Sequence, residues 1–186
     1  CRAQTRIYQT KILICKKFRY MIISTWNVNS IKVRIHAVIQ YLSEYHPDVL
    51  VLQETKCLDE NFPIDQISDA GYHSTFFGQK TYNGVAILSK KKPDSIEYNP
   101  VATSKKEARS LTAVIDGITI VNLYVVNGQD VGTDKYSYKL DWLKKLTSYA
   151  KKLLTKSDKV ILLGDFNIAP SDDDVFDIDI TKDQIL

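Results

Sequence analysis

Apolar residues recur along this chain at two different periods, and the two together predict its elements. Residues 22–25 form a short β-rich run; Ile31, Ile35, Val38, Ile39 and Leu42 then recur at helical spacing, with Ser30 placed to cap the helix. Pro47 closes that helix, and residues 49–52 are an uninterrupted apolar run, as a strand buried on both faces requires. Residues 72–77, 85–88, 111–115 and 118–123 read as further strands, the last two joined by Asp116-Gly117, a strong hairpin signal. Leu140, Leu143, Leu146, Tyr149, Ala150, Leu153 and Leu154 mark a long amphipathic helix, and residues 160–163 predict another buried strand. Helices alternate with strands but hairpins intervene, so the expectation is an α/β protein whose layered sheet is mixed.

The 186 residues suit one domain or most of one. No apolar run reaches the length of a membrane-spanning helix. The net charge of +3 is unevenly placed: residues 1–20 hold six cations (Arg2, Arg6, Lys11, Lys16, Lys17, Arg19) and no acid, leaving 19 Lys and Arg to face all 22 acids in the remainder. The body is therefore mildly acidic, and any contact with a polyanion has to come from local basic loops. Residues 1–20 read as a basic leader outside the domain, most simply as sequence ahead of a start at Met21, the other readings being a basic arm or a targeting peptide. Residues 21–186 read as the domain itself. Cys1, Cys15 and Cys57 lack the spacing of a disulfide framework or a metal site, which points to a reducing, cytoplasmic compartment. The acidic run Asp172-Asp173-Asp174 reads as a loop and helix start without a metal role.

The informative residues follow the apolar runs. Residues 22–25 lead into Trp26 and Asn27, residues 49–52 into Gln53 and Glu54, residues 118–123 into Tyr124 and then Asn127, and residues 160–163 through Gly164 into Asp165 and Asn167. In layered α/β proteins, chemistry gathers at the carboxyl ends of strands. Taken singly, each residue has an ordinary explanation: asparagines cap and turn, Glu54 or Asp165 could cap a following segment, and Tyr124 could simply pack. If the strands share one rim, however, Asn27, Glu54, Tyr124, Asp165 and Asn167 converge. Carboxylates and amide carbonyls are hard oxygen donors, suited to Mg²⁺ and not to zinc. No Ser-His-Asp set and no glycine-rich phosphate loop competes with that reading. A hard cation with an adjacent carboxylate and amide and phenol donors is a phosphoester hydrolase site.

The segments S-T-W-N-V-N-S-I-K-V-R (24–34), P-D-V-L-V-L-Q-E-T-K (47–56), Y-N-G-V-A-I-L-S-K (82–90), N-L-Y-V-V-N-G-Q (122–129) and G-D-F-N-I-A-P (164–170) occur in this order. They resemble successive signatures of exonuclease III and the abasic-site endonucleases, within the endonuclease/exonuclease/phosphatase superfamily. The resemblance implies a four-layered α/β sandwich, two packed mixed sheets flanked by helices, here incomplete at the C-terminus. It implies a DNA-repair phosphodiesterase that cleaves abasic-site DNA and removes 3′-terminal nucleotides or blocking groups. The implied cofactor is Mg²⁺, with Mn²⁺ as a substitute, and the implied partner is double-stranded DNA with abasic sites or 3′ ends, bound by a monomer.

Carried over by position, Glu54 becomes the principal metal ligand, Asn27 supports the metal, and Asp165 orients the attacking water. Asn167 beside Asp165 stabilises the pentacovalent phosphorus, Asp165 and Asn167 both also counting among the metal-site residues, and Tyr124 sits near the phosphate and leaving group. Asn29, Arg34, Lys56, Asn127 and Gln129 become candidates to hold DNA. Val126 replaces a proline often found in the family at that place. The family's terminal Ser-Asp-His signature has no counterpart in residues 1–186, and His36, His46 and His73 stand in other contexts and read as scaffold. Two alternatives remain, a catalytically inactive nucleic-acid-binding homologue or a superfamily phosphoesterase acting on phospholipid or inositol phosphate. The sequence expectation is thus a fragment of an enzyme with little activity and poor solubility of its own. Residues 21–186, expressed and assayed on abasic-site duplex with Mg²⁺, are expected to show little or no cleavage, and robust turnover would contradict this.

Overall fold

The structure, a computed structural model, describes residues 8–14, 19–175 and 184–185. Within them the chain forms β1 (Tyr8–Ile14), β2 (Arg19–Asn27), α1 (Ile31–Tyr45), β3 (Val49–Gln53), α2 (Ile64–Asp69), β4 (His73–Phe77), β5 (Val85–Ser89), β6 (Ser95–Tyr98), β7 (Ser110–Ile115), β8 (Ile118–Tyr124), β9 (Gln129–Asp130), α3 (Asp134–Leu154), β10 (Val160–Asp165) and β11 (Gln184–Ile185). One sheet has the order β1-β2-β3-β5-β4 and a second the order β10-β8-β7-β6, while β9 and β11 pair in a short ribbon. β2 runs parallel to β3 and β10 parallel to β8; the other ladders are antiparallel, so both large sheets are mixed.

Strand alternation explains the layering, because successive side chains point to opposite faces. Met21, Ile23, Val49, Val51, Val85 and Ile87 of the first sheet meet Leu111, Ala113, Ile115, Ile118 and Ile120 of the second in one buried cluster. The intervening residues Leu50, Leu52, Ala86 and Leu88 face away from it, against Ile31, Ile35, Val38 and Leu42 of α1 and Ile67 of α2. Val121 and Leu123 of β8 likewise turn outward onto Trp142, Leu146 and Tyr149 of α3. The result is four layers, helix, sheet, sheet, helix. It also explains why residues 49–52 show no polar interruption: both faces of β3 are covered.

The structure departs from the sequence reading in several places. β1 falls within residues 1–20, read as a leader, and pairs antiparallel with β2 from Tyr8↔Thr25 to Ile14↔Arg19. Ser30 precedes α1, but its side chain makes no capping bond; with φ 95° its peptide N–H turns to Glu54 O at 2.7 Å. β10 is half-buried throughout, because it lies at the edge of its sheet. The buried face of α3 runs through Lys139, Trp142, Leu146 and Tyr149, whereas Leu140 and Leu154 are exposed. Trp142 sets that rotation: the largest apolar side chain on the helix takes the inward position. Asp172–Asp174 forms a single 3₁₀ turn. Asp116-Gly117 makes the expected hairpin, both residues having positive φ. His36, His46 and His73 are all exposed scaffold positions on α1, at its end and on β4. No helix among the described residues is long and apolar enough to cross a membrane.

One polar group stands in the layer between the sheets. Asn122 shares its parity with Ile118 and Ile120 and is fully buried. Its amide nitrogen donates to Leu52 O and Ala86 O, both at 2.8 Å, and its carbonyl oxygen accepts from Gln53 Nε2 at 2.7 Å. Every one of these partners belongs to the first sheet, so the side chain fixes the spacing and register of the two sheets just below their common rim. Asn122→Leu is expected to cost about 3 kcal/mol by stranding the Gln53 amide and two carbonyls, seen as a lower urea midpoint at unchanged m-value.

Candidate active site

The parity that builds the core also builds the site. Continuing the inward positions of each strand reaches Asn27 on β2, Gln53 on β3, Tyr124 on β8 and Asp165 on β10, each at the carboxyl end. Where the apolar residues stop, polar ones occupy the same inter-sheet layer and meet solvent. Glu54 follows Gln53 with φ 54°, a left-handed conformation uncommon for a non-glycine residue. Neighbouring loops hold it there. Ser30 N–H donates to Glu54 O at 2.7 Å, Ile31 N–H to Thr55 O at 3.0 Å, and Lys56 N–H to Asn83 O at 2.9 Å. Two glycines permit these approaches. A Cβ at Gly84 (φ 91°) would lie 2.1 Å from Thr55 Oγ1, and one at Gly164 (φ 139°) would lie 2.0 Å from Leu123 O.

At the centre, Asn27 Nδ2 donates to Glu54 Oε1 and to Asp165 Oδ2, both at 2.8 Å. The two carboxylate oxygens are therefore no farther apart than twice that distance. Lys56 Nζ pairs with Glu54 Oε2 at 2.8 Å and also donates to Asn29 Oδ1, while Asn29 N–H donates to Asn27 Oδ1 at 3.1 Å. Burial pushes the Glu54 carboxyl up, but hydrogen bonds from Asn27, Lys56 and Tyr124, with the Lys56 charge, outweigh it and hold the group below its ordinary value. The Tyr124 phenol is pushed well up, first by burial and then by the charge and hydrogen bond of Glu54, so it stays protonated at neutral pH. The Asp165 side chain accepts from Asn167 N–H at 3.0 Å, and Asn167 Nδ2 donates to Val125 O at 2.8 Å.

Of the residues expected from sequence, Asn27, Asn29, Glu54, Lys56, Tyr124, Asp165 and Asn167 come together. Arg34 sits half-buried in the first turn of α1, and Asn127 accepts from Gln129 N–H at 3.0 Å in a local turn; these three stand outside the hydrogen-bonded set. Two cations escaped the sequence reading. Arg109 lies 4.9 Å above the Tyr124 ring, donates to Tyr124 O at 3.4 Å and pairs with Glu107 at 2.6 Å. Lys139, one of many lysines on α3, is buried and donates to Asn167 O; burial lowers its pKa, with the Asp165 charge acting against that. Aligning Lys139 with Trp142, Leu146 and Tyr149 at helical spacing was the signal available for it. For Arg109 the sequence offers none, since it precedes β7 on a loop with no pattern.

The donor set fits a hard divalent cation. Two carboxylates converge on the Asn27 amide nitrogen, while the Asn27 oxygen accepts from Asn29 N–H, and Mg²⁺ typically takes one or two carboxylates and keeps several waters. Among the described residues no group of three or more His, Cys, Asp or Glu is placed to hold a metal ion, so Glu54 and Asp165 are the two carboxylates this site has to offer.

Residues 24–185 match the family described as Endonuclease/Exonuclease/phosphatase family. The exodeoxyribonuclease III of Haemophilus influenzae is 32% identical over 157 residues, 81% of this chain and 59% of that protein. The 3′-5′ exonuclease NExo from Neisseria meningitidis superposes with a TM-score of 0.83 at 40% identity over 88% of this chain and 64% of that one. A structure of 3′ phosphatase NExo bound to a product DNA hairpin gives the same TM-score at 39% identity, with the same coverage of both chains. An AP endonuclease from Archaeoglobus fulgidus gives 0.80 at 40% identity, over 87% of this chain and 63% of that one. This chain thus spans 59% to 64% of the length of these proteins.

A carboxyl whose folded pKa is depressed adds stability that is present above its unfolded value and lost as pH falls through the folded value. Lys56→Met removes one hydrogen bond and the opposing charge, so the Glu54 pKa is expected to rise and its contribution to be lost at higher pH than in the wild type. A ¹³C-carboxyl titration of the metal-free protein measures the Glu54 midpoint directly; an unmoved midpoint would contradict the assignment.

Proposed function

We propose that this chain, which belongs to the Endonuclease/Exonuclease/phosphatase family, is part of a DNA-repair phosphodiesterase of the exodeoxyribonuclease III kind. Its reaction is hydrolysis of abasic-site DNA and removal of 3′-terminal nucleotides or blocking groups. The observation that carries the reading is the Asn27 amide shared by Glu54 and Asp165, which brings two carboxylates from different sheets to one point. The named relatives, an exodeoxyribonuclease III, an AP endonuclease and a 3′ phosphatase seen with DNA, support DNA as the substrate class.

Glu54 and Asp165, with Asn27, would hold Mg²⁺ (or Mn²⁺), which when bound supplies positive charge to a phosphate oxygen. Asp165 orients a water and takes its proton as the oxygen attacks phosphorus. Asn167 uses one amide hydrogen on Val125 O and has a second for an equatorial phosphate oxygen. Tyr124, kept protonated and hydrogen-bonded to Glu54 here, would turn its single O–H from that carboxylate toward the phosphate on the leaving-group side. Lys56 and Asn29 at the rim, with Arg34, Asn127 and Gln129 on the adjoining segments, hold backbone phosphates and position the duplex without reading its sequence. Retention of Glu54, Asp165 and Asn167 argues against an inactive binding homologue.

Glu54→Gln and Asp165→Asn in the full-length protein are each expected to lower kcat on abasic-site duplex by roughly a thousandfold or more. The thermal midpoint should move little, and a soluble phosphomonoester should be a poor substrate throughout. Near-wild-type turnover by either variant, or preference for the phosphomonoester, would overturn the proposal.

A further inference from the structure

The buried stripe of α3 begins with a charge. Lys139 is 1% exposed and occupies the inward position one turn before Trp142, where the pattern of the helix calls for an apolar side chain. An isolated ammonium is costly to bury and is kept only where partners hold it. Its partner here is the carbonyl oxygen of Asn167, and the charge of Asp165 is felt at the same nitrogen. Asp165 is the last residue of β10, and Asn167 lies on the loop that follows it.

That loop needs holding. Asn167 has φ 48°, a left-handed backbone without glycine's freedom. Its N–H is fixed by Asp165 Oδ1 at 3.0 Å and its side chain by Val125 O at 2.8 Å. Lys139 fixes the third group, the carbonyl, from the helix layer packed on the outer face of the same sheet. The carbonyl and the N–H flank the same Cα, so release of the carbonyl removes one of the three bonds that hold Asn167 at φ 48° and loosens the N–H, one peptide earlier, that orients Asp165.

We propose that Lys139 is a positioning residue, whose ammonium, reaching from α3, locks Asn167 and through it Asp165 in the geometry the reaction uses. This deepens the function proposed above and rests on Asp165 and Asn167 being working groups. It also separates stability from activity, because replacing a buried charge by an apolar side chain of similar length is often neutral or stabilising.

The test compares full-length wild type with Lys139→Met and Lys139→Gln, the second retaining a donor without the charge. For Lys139→Met the expectation is an unchanged or higher thermal midpoint, hydrogen exchange at the Asn167 amide faster by about tenfold, and kcat lower by about 10- to 100-fold with KM little altered. Lys139→Gln should recover part of both the protection and kcat. An unchanged exchange rate and kcat in Lys139→Met would overturn the proposal. So would a loss of kcat that only tracks a fallen thermal midpoint in both variants. If Lys139→Met does not fold, the exchange rate and kcat of Lys139→Gln decide, wild-type protection with less than about a tenth of the activity counting against it. A wild type inert on abasic and 3′-blocked duplexes would instead reject the proposed function, while the Asn167 exchange rates would still judge Lys139.

Discussion

Two carboxylates held against a single amide nitrogen are the constraint on which the rest of this molecule turns. Glu54 ends the run of β3 in one sheet and Asp165 ends β10 in the other, so their meeting at Asn27 depends on how closely the sheets approach and in what register. Like charges so near repel, and the neutralising groups are local: Lys56 on one carboxylate, the Asn27 amide between them, the Asn167 peptide on the other. A divalent cation would supply the remaining compensation, so an arrangement poorly balanced by itself is well matched to a cation.

The packing beneath serves that approach. Apolar side chains fill the inter-sheet layer up to the level of Gln53 and Asn122, where amides replace them. Apolar packing alone tolerates sliding, since it has no direction; the Asn122 amide does not, because three hydrogen bonds of fixed geometry join it to β3 and β5. The site thus sits on a directional joint, with the non-directional core below it.

Much of this was legible in the sequence, for stated reasons. An apolar run that stops at Gln53-Glu54 or Gly164-Asp165 marks the end of a buried strand, and the parity of each run says which side the next polar residue faces. Glu54 is the exception, since its left-handed backbone breaks the alternation, and only the loops around it reveal where it points. Of the residues that marked α3, Leu146 and Tyr149 are buried and Leu143 and Leu153 pack against the same cluster, but Leu140 and Leu154 are exposed, and following leucines passes over Trp142 and Lys139. Arg109 could not have been found, because its place over Tyr124 is set by a loop whose course no periodicity encodes. β10 reads as buried from composition, yet its exposure depends on what pairs with it, which its own residues do not state.

Gly164 carries a consequence for how the protein can vary. It stands one residue before Asp165, where β10 runs so near β8 that the space for even a methyl group is taken by the Leu123 carbonyl. The door at this position is shut to the other nineteen amino acids by backbone, which cannot step aside as a side chain could. Tolerance to substitution is therefore uneven around the rim: a side chain there can be trimmed or turned, while this glycine, with no side chain to do chemistry, has no room to gain one.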